Sequence, residues 1–209
     1  MAKPYEARLR ESFDSTLQEA AEFFMGKGDV RVTMRRLAAR LAAEAIPYAV
    51  VGGMALGEHG YVRMTEDIDV LVTREGLARF TKACSGRGYT RTHPGARRLF
   101  RDTETGVRVE FLVAGEYPGD GKPKPVSFPD PVDCSVEVEG VRVVSLPRLI
   151  ELKLASGMTA PDRLRDLADV QELIRTEQLT TRFATQLDPS VRSKFRELVQ
   201  SVRRARRKR

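Results

Sequence analysis

The stretch Asp67-Ile68-Asp69 places two carboxylates two residues apart in a short apolar run that ends at Val72. In a β-strand, residues two apart project to the same side, so both carboxylates would point together while Ile68 and Val70 face the core. Two adjacent carboxylates repel each other unless a cation lies between them. Oxygen ligands of this kind suit Mg²⁺, which binds carboxylates together with substrate phosphates. The spacing therefore predicts a site for Mg²⁺, with Mn²⁺ as the alternative ion.

A Gly-Gly pair follows directly after the apolar run Tyr48 to Val51, which predicts a buried strand. Met54 to His59 would then form a helix. Because glycine has no Cβ, the amides of Gly52 and Gly53 at the start of that helix allow close approach of a phosphate oxygen. Alone, a Gly-Gly pair is typical of a turn and an Asp-x-Asp pair of a solvated sheet face. Together, each at a strand end, they favour a phosphate and metal site.

A third carboxylate, Glu110, lies on the predicted strand Val107 to Val113, where Arg108, Glu110 and Leu112 share one face. If this strand pairs beside the Asp67 strand, Glu110 completes a site for two metal ions. Such ions lie about 3.5–4 Å apart and stabilise both the attacking and the leaving oxygen of an in-line displacement. An exposed Glu opposite apolar residues is also ordinary on a half-buried strand, so the pattern leaves a structural role open.

The elements that must position these residues form a strand-rich centre between two helical ends. This order predicts an α+β fold with a small mixed β-sheet flanked by helices, and with helical segments at both termini. The predicted parts are an N-terminal helical segment (1–46), a core (47–145) and a C-terminal helical region with a basic tail (146–209). The predicted helices are Leu9–Phe24, Asp29–Glu44, Met54–His59, Gly76–Ser85, Pro147–Ser156, Asp162–Arg175 and Pro189 to the tail. The predicted strands are Tyr48–Val51, Ile68–Val72, Arg98–Arg101, Val107–Val113 and a hairpin over Ser135–Val144.

The segment from Glu116 to Asp133 holds five prolines and two glycines, which predicts a loop. Its length favours a substrate-covering role over a simple connection.

The net charge of +7 belongs to one end of the chain. The last seven residues, Arg203 to Arg209, carry six basic groups, and without them 30 basic residues face 29 acidic ones. Such a tail attracts RNA or another polyanion, or simply solvates a helix end. No apolar run is long enough for a membrane span, and the N-terminus lacks the pattern of a signal peptide. Cys84 and Cys134 lack metal-ligand spacing, so buried free thiols in a cytoplasmic protein are expected.

The Gly-Gly turn, the Asp67-Ile68-Asp69 pair and the later acidic strand resemble the signature of the DNA polymerase β-like nucleotidyltransferase superfamily. Downstream, Val144 to Lys153 followed by Asp162 to Val170 is similar to the AbiEii-type toxin branch and related bacterial proteins. The resemblance covers about residues 46–175. It implies a mixed-sheet catalytic core that uses Mg²⁺ to transfer a nucleoside monophosphate from a nucleoside triphosphate (NTP) to an acceptor.

Position by position, the resemblance implies that phosphate is held by Gly52, Gly53 and Thr65, and metal by Asp67 and Asp69. It further implies that Lys153 pairs with the triphosphate and that Asp166 orients Lys153 or the acceptor. One departure is Glu110, since aspartate is common at the third position. The longer side chain still reaches a metal, but it also fits a weakened or non-catalytic member.

Lys153 stands in the apolar setting Leu152-Lys153-Leu154-Ala155, which indicates a buried partner rather than an exposed amine. Asp166 and Asp169 are three residues apart on one helix face, so either is a candidate partner. Arg63 and Arg165 are candidates for phosphate contact, whereas surface arginines are also common. His59 and His93 have no partner pattern, so both are expected to be structural.

These features favour a metal-dependent nucleotidyltransferase. The resemblance to the toxin branch implies that the acceptor is RNA (tRNA included) or protein, and the basic tail favours RNA. The toxin branch implies a toxin–antitoxin system with a cognate antitoxin as partner. The lack of a long apolar run predicts no membrane association. An alternative is a catalytically silent protein of the same fold that binds nucleotide or a partner protein. A nucleic-acid-binding module without chemistry is disfavoured, because the body of the chain is almost neutral.

Overall fold

The computed structural model describes residues 2–206, in which helices cover both faces of one β-sheet. The α-helices in this range are Tyr5–Leu9 (α1), Phe13–Phe24 (α2), Asp29–Ala43 (α3), Gly52–Glu58 (α4), Arg74–Cys84 (α5), Pro131–Cys134 (α6), Leu146–Thr159 (α7), Leu164–Thr176 (α8) and Arg192–Arg206 (α9). Short 3₁₀ helices cover Pro161–Arg163, Thr181–Gln186 and Pro189–Val191.

The strands are Tyr48–Val50 (β1), Asp67–Val72 (β2), Tyr89–Arg91 (β3), Leu99–Asp102 (β4), Arg108–Val113 (β5), Ser135–Val138 (β6) and Val141–Val144 (β7). They form a seven-stranded sheet in the order β3-β4-β5-β2-β1-β7-β6. The pairs β2–β5 and β1–β7 are parallel and the others are antiparallel. The predicted α+β fold with a mixed sheet flanked by helices is therefore confirmed.

The two faces of the sheet bury different helices. On one face, α1, α3 and α5 pack through residues such as Tyr5, Leu37 and Phe80 against Val70 and its neighbours. On the other face, α7, α8 and α9 form a second apolar cluster that includes Leu71. Since side chains alternate along β2, Asp67 and Asp69 lie on the same face as Leu71, beside the C-terminal helices.

The N-terminal helical pattern is broken where the sequence predicted one continuous run. Helix α1 ends at Leu9 and α2 begins at Phe13. Ser12 has an extended backbone (φ −158°), and its side chain accepts a hydrogen bond from the Ser15 amide at 3.1 Å. This N-cap starts a new helix at Phe13, because a capping residue lies outside the helical conformation.

The sequence patterns did not predict β3, α6 or the 3₁₀ helix Thr181–Gln186. Strand β3 has only three residues and lies at the edge of the sheet, too short for an alternating pattern. Helix α6 begins inside the predicted loop, where the Asp130 side chain accepts a hydrogen bond from the Val132 amide at 2.9 Å. Within residues 2–206, no helix is long and apolar enough to cross a membrane. The division into parts at residues 46 and 145 stays a prediction.

Candidate active site

The Gly-Gly turn joins buried strand β1 to helix α4, and it lies against the acidic strand. Gly52 has a φ of +61°, and a Cβ at this position would overlap Oδ2 of Asp69. A Cβ on Gly53 would lie 2.8 Å from Cβ and Oγ1 of Thr65. Glycine is required at both positions because the Asp69 and Thr65 side chains fill the space that a Cβ would occupy. The sequence predicted a different reason, the close approach of a phosphate oxygen.

Strands β2 and β5 pair in parallel and bring the three predicted carboxylates to one face of the sheet. In the register of the two strands, Asp69 lies beside Glu110 and Asp67 beside Arg108. Thr65 Oγ1 donates a hydrogen bond to Oδ1 of Asp67 at 3.1 Å. The pairing on which the prediction for Glu110 depended is therefore present.

Arg108 is a cation of this face that the sequence patterns did not identify as functional. Its guanidinium forms an ion pair and hydrogen bond with Oδ2 of Asp67. This hydrogen bond to Asp67 is the largest of the effects that raise the pKa of Arg108. Within residues 2–206, no three His, Cys, Asp or Glu side chains already form a group that could hold a metal ion. A cation that binds Oδ2 of Asp67 would compete with Arg108 for this oxygen.

Asp69 is the electrostatically strained member of the group. Burial, followed by the charges of Asp67 and Glu110, raises its pKa from 3.8 to about 7. Lys153 and Arg108 partly offset these effects. A bound cation would favour the ionised carboxylate and lower this pKa.

Lys153 of α7 is buried, with 6% of its surface exposed, and it bridges two carboxylates of α8. Its Nζ donates to Oδ1 of Asp166 at 2.9 Å and to Oδ2 of Asp169 at 2.7 Å. Ser156 Oγ, one turn along α7, donates to Oδ2 of Asp166 at 2.6 Å. The sequence left Asp166 and Asp169 open as partners of Lys153, and the structure pairs the lysine with both.

Asp169 also binds Arg63, which lies in the segment between α4 and β2. Arg63 Nε and Nη2 donate to the two carboxylate oxygens of Asp169 at 3.0 and 3.1 Å. Asp169 is 2% exposed. It therefore ties α7 and α8 to the segment that carries Thr65 and leads into Asp67. Arg63 is held by this pair, and its predicted contact with phosphate stays a prediction.

The carboxylates open into a polar cleft with a volume of about 680 Å³. Arg163 and Arg165 lie at its rim and are exposed, and neither is in an ion pair with another residue of the range 2–206. The cleft is lined by Gly52, Gly53, Arg63, Met64, Thr65, Glu66, Asp67, Asp69, Arg108, Glu110, Lys153, Asp162, Arg163, Arg165 and Asp166. All residues predicted for the site thus surround one cavity.

A smaller compartment of about 120 Å³, termed the chamber, adjoins the cleft. Its apolar wall comes from Val51 between β1 and α4, from β5 and α7, and from the proline-rich segment 116–130, termed the strap. The residues of this wall are Val51, Leu112, Pro118, Gly119, Phe128, Leu149 and Leu152. The residues that line both compartments are Gly52, Asp69, Glu110, Lys153, Arg163 and Asp166.

The remaining sequence candidates lie outside the cleft. His59 Nε2 hydrogen-bonds to the carbonyl oxygen of Val144 at 2.7 Å, and His93 is exposed. Cys84 and Cys134 are buried free thiols, as predicted. The described part of the basic tail ends with Arg206, and residues 207–209 lie outside the described range.

Solved structures with a similar fold share little sequence with the chain. ANT(2")-Ia in complex with adenylyl-2"-tobramycin has a TM-score of 0.50 and 16% identity over 79% of this chain and 98% of its own. JHP933 from Helicobacter pylori has a TM-score of 0.43 and 16% identity, over 85% and 93% of the two chains. An antigenic nucleotidyltransferase-like protein from Paracoccidioides brasiliensis has a TM-score of 0.46 and 17% identity, over 70% and 76%.

No curated protein sequence matches the chain significantly. A family model does match, and it spans residues 4–202. This range includes the Gly-Gly turn, all three carboxylates and the Lys153 network. The chain therefore belongs to the nucleotidyltransferase family described as "Uncharacterised nucleotidyltransferase".

Proposed function

We propose that the protein transfers a nucleoside monophosphate from an NTP to an acceptor hydroxyl in a metal-dependent reaction. The observation that carries the proposal is the in-register pair of β2 and β5, which brings Asp67, Asp69 and Glu110 to one face beside the Gly52 turn. Phosphoryl-type transfers need positioning and charge stabilisation more than covalent catalysis by the protein. A face of this composition can supply both.

The residues fit Mg²⁺ or Mn²⁺ in their donor chemistry. Asp67, Asp69 and Glu110 offer carboxylate oxygens, the ligands that these hard cations prefer. Burial, and then the charges of Asp67 and Glu110, raise the pKa of Asp69, and a cation would offset the repulsion among these carboxylates. When bound, the metal would neutralise charge on the reacting phosphate and its leaving group.

Other residues of the cleft have separate tasks in this proposal. Arg163 and Arg165 are exposed and unpaired within residues 2–206, so they are free to bind phosphate oxygens. Lys153 is already held by two carboxylates, so it contributes positive charge from a fixed position. Thr65 holds Asp67, and Asp166 borders the side from which an acceptor would approach.

The predicted RNA or protein acceptor, the AbiEii-type branch, the toxin role and the antitoxin partner stay predictions. ANT(2")-Ia, of similar fold, is a reminder that the acceptor can be a small molecule, since its structure contains adenylyl-2"-tobramycin. The second candidate function is a catalytically silent nucleotide-binding protein. The engagement of Asp67 by Arg108 favours it, because that contact competes with metal.

Transfer of label from NTPs carrying a labelled α-phosphate tests the proposal, with Asp69→Asn as the variant and Asp133→Asn as the control. Asp133 is an exposed carboxylate on α6, outside the cleft. We expect Asp69→Asn to lose label transfer and to weaken Mg-nucleotide binding, while Asp133→Asn changes neither. If wild type and Asp69→Asn bind Mg-nucleotide equally well, the metal assignment is wrong. Nucleotide binding without any label transfer would support the silent alternative.

A further inference from the structure

The chamber differs from the cleft in the chemistry of its wall. Gly53, Thr65, Arg108 and Arg165, which suit phosphate, line only the cleft, whereas Gly52, Lys153 and Arg163 line both compartments. The residues that line only the chamber are apolar apart from Ser156. The triphosphate therefore fits the cleft, and the part of the chamber away from the shared residues suits an uncharged, apolar group.

The strap forms a fixed roof over the chamber. Its ends are joined by backbone hydrogen bonds from the Gly115 amide to Phe128 (2.8 Å) and from the Phe128 amide to Glu116 (2.7 Å). A Cβ on Gly119 would lie 2.7 Å from Thr159 Oγ1 and 2.9 Å from the Ser156 carbonyl oxygen. Only glycine allows the strap to lie this close to α7.

A partly buried lysine, Lys124, fastens the same roof. Lys124 Nζ donates to the Pro118 carbonyl oxygen at 2.7 Å and to Thr159 Oγ1 at 2.9 Å, and its side chain is 10% exposed. Lys124 thus joins two parts of the strap to each other and joins the strap to α7. The size of the chamber is set by packed segments.

The volume of the chamber limits its occupant. At about 120 Å³, it is close to the engineered apolar cavity of about 150 Å³ that binds benzene. A single ring fits, and the chamber has no room for a larger part of an acceptor. The chamber meets the cleft at Asp69 and Glu110, so a group seated there lies next to the carboxylates proposed to hold the metal.

We propose that the acceptor is a small alcohol or phenol whose apolar, ring-sized body occupies the chamber, an inference that rests on the proposed function. An in-line displacement needs the nucleophile opposite the leaving pyrophosphate. The acceptor oxygen bonds to the α-phosphorus, and the bond from that phosphorus to the bridging oxygen breaks. Pyrophosphate leaves with the electron pair. The hydroxyl proton passes to solvent water, which reaches the reacting oxygen through the cleft.

The class of acceptor is tested with α-phosphate-labelled NTPs and Mg²⁺ on a cell extract divided by ultrafiltration. We expect wild-type protein to label a component of the small-molecule ultrafiltrate. Label that appears instead in the retained fraction, in a nuclease- or protease-sensitive form, overturns the proposal. Binding of Mg-nucleotide without a labelled product in the ultrafiltrate also overturns it. Failure to bind Mg-nucleotide at all contradicts the proposed function itself.

Leu112→Phe tests the position of the acceptor, because it places a larger side chain in the chamber. We expect Mg-ATP affinity to stay unchanged and the labelled small product to fall by about tenfold or more. The control is Val136→Phe, which enlarges a side chain that is 42% exposed. Val136 lies on the edge strand β6, four strands away from β5 in the sheet. If Leu112→Phe weakens Mg-ATP binding with unchanged thermal unfolding, the chamber takes the nucleobase and the proposal is wrong.

A second probe does not depend on a folded variant. Benzyl alcohol, followed by NMR on wild-type protein with Mg²⁺ and a non-hydrolysable ATP analogue, should bind and show proximity to the side chains of Leu112 and Leu149. Competition between benzyl alcohol and the analogue, or an absence of contact with these leucines, would contradict the assignment.

Discussion

Asp69 is the side chain of the site whose ionised form is disfavoured by burial and by neighbouring carboxylates. Its carboxylate lies beside Glu110 in the strand register and against the Gly52 turn, and its pKa is about 7. Active sites commonly hold such groups, since the charge arrangement that serves a ligand is unfavourable without it. The stability of the metal-free protein should therefore be limited by this residue.

Asp69→Asn should stabilise the metal-free protein, and more so at high pH. The folded-state pKa of Asp69 is raised above its ordinary value of 3.8, so the folded state loses stability as pH rises from that value through about 7. At about pH 8, removing the charge should therefore raise the free energy of unfolding by about 1–3 kcal/mol, and at about pH 4 by little. Thermal unfolding at both pH values checks this, and added Mg²⁺ should stabilise wild type more than the variant. A variant that is equally or less stable at high pH would contradict the expectation.

Arg108 occupies one oxygen of Asp67, so it should act as a competitor of free metal. We expect Arg108→Gln to bind Mn²⁺ alone several-fold more tightly. The same variant should bind Mg-ATP more weakly, since it loses a cation of the phosphate-binding cleft. Calorimetric titrations with each ligand measure the two effects. The control, Arg98→Gln, removes an arginine whose partner, Glu116, lies outside the cleft. Unchanged Mn²⁺ affinity would show that Arg108 does not compete.

At the scale of elements, Asp169 is the point at which α7, α8 and the segment before β2 are held together. In Asp169→Asn, Lys153 keeps one carboxylate partner, Asp166. Arg63 loses its ion-pair partner within residues 2–206. Breaking a buried ion pair costs about 3–5 kcal/mol, and the amide retains some hydrogen bonds, so we expect a loss of about 2–4 kcal/mol. Mg-nucleotide affinity should fall as well, because the segment carrying Thr65 is no longer fixed.

Glu151→Gln is the matched control for Asp169→Asn. Glu151 is 3% exposed on α7 and accepts hydrogen bonds from Arg148 Nη1 and the Asp188 amide, both at 2.6 Å. It lies away from the cleft. Both variants should lower the denaturation midpoint, but only Asp169→Asn should weaken nucleotide binding. An equal effect of the two variants on nucleotide binding would mean that Asp169 acts through stability alone.

Sequence patterns predicted the elements whose signal is local. Asp67 and Asp69 alternate with buried Ile68 and Val70, so their shared face follows from the period of a strand. For Lys153, the sequence patterns gave two candidate partners, Asp166 and Asp169. They did not show that the lysine contacts both, because this depends on how α7 packs on α8. Arg108 was placed on the correct face without a role, since its contact with Asp67 requires the β2–β5 register.

Helix α2 shows the same limit for packing. Its apolar residues recur at helical spacing and the helix forms, yet Phe13 is 75% exposed and Phe24 is 63% exposed. Periodicity predicts that one face is apolar, and it carries no information on which element covers that face. The core positions of this helix could therefore not be assigned from its sequence.

At the scale of the whole molecule, the excess positive charge lies away from the cleft. Beyond a nearly neutral body, the basic residues collect at the end of α9. Arg206 donates a 3.4 Å hydrogen bond to the Arg175 carbonyl near the C-terminal end of α8. Cations at a helix C-terminus are favourable there, so part of the tail has a role in the fold itself. Asp166 and Asp169, by contrast, lie in the first half of α8, toward the cleft.

Deletion of residues 203–209 tests whether the basic tail binds RNA or only solvates the end of a helix. Val202 is 4% exposed and stays in place, so the truncated α9 keeps its packing against the core. If the tail binds RNA, the affinity for a single-stranded homopolymer should lose much of its salt dependence, about 0.7 in log–log slope for each lost phosphate contact. Filter binding over a salt series measures the slope, and Lys82→Gln with Arg87→Gln removes exposed charges elsewhere as a control. An unchanged slope would remove the tail as an argument for an RNA acceptor and favour a small acceptor in the chamber.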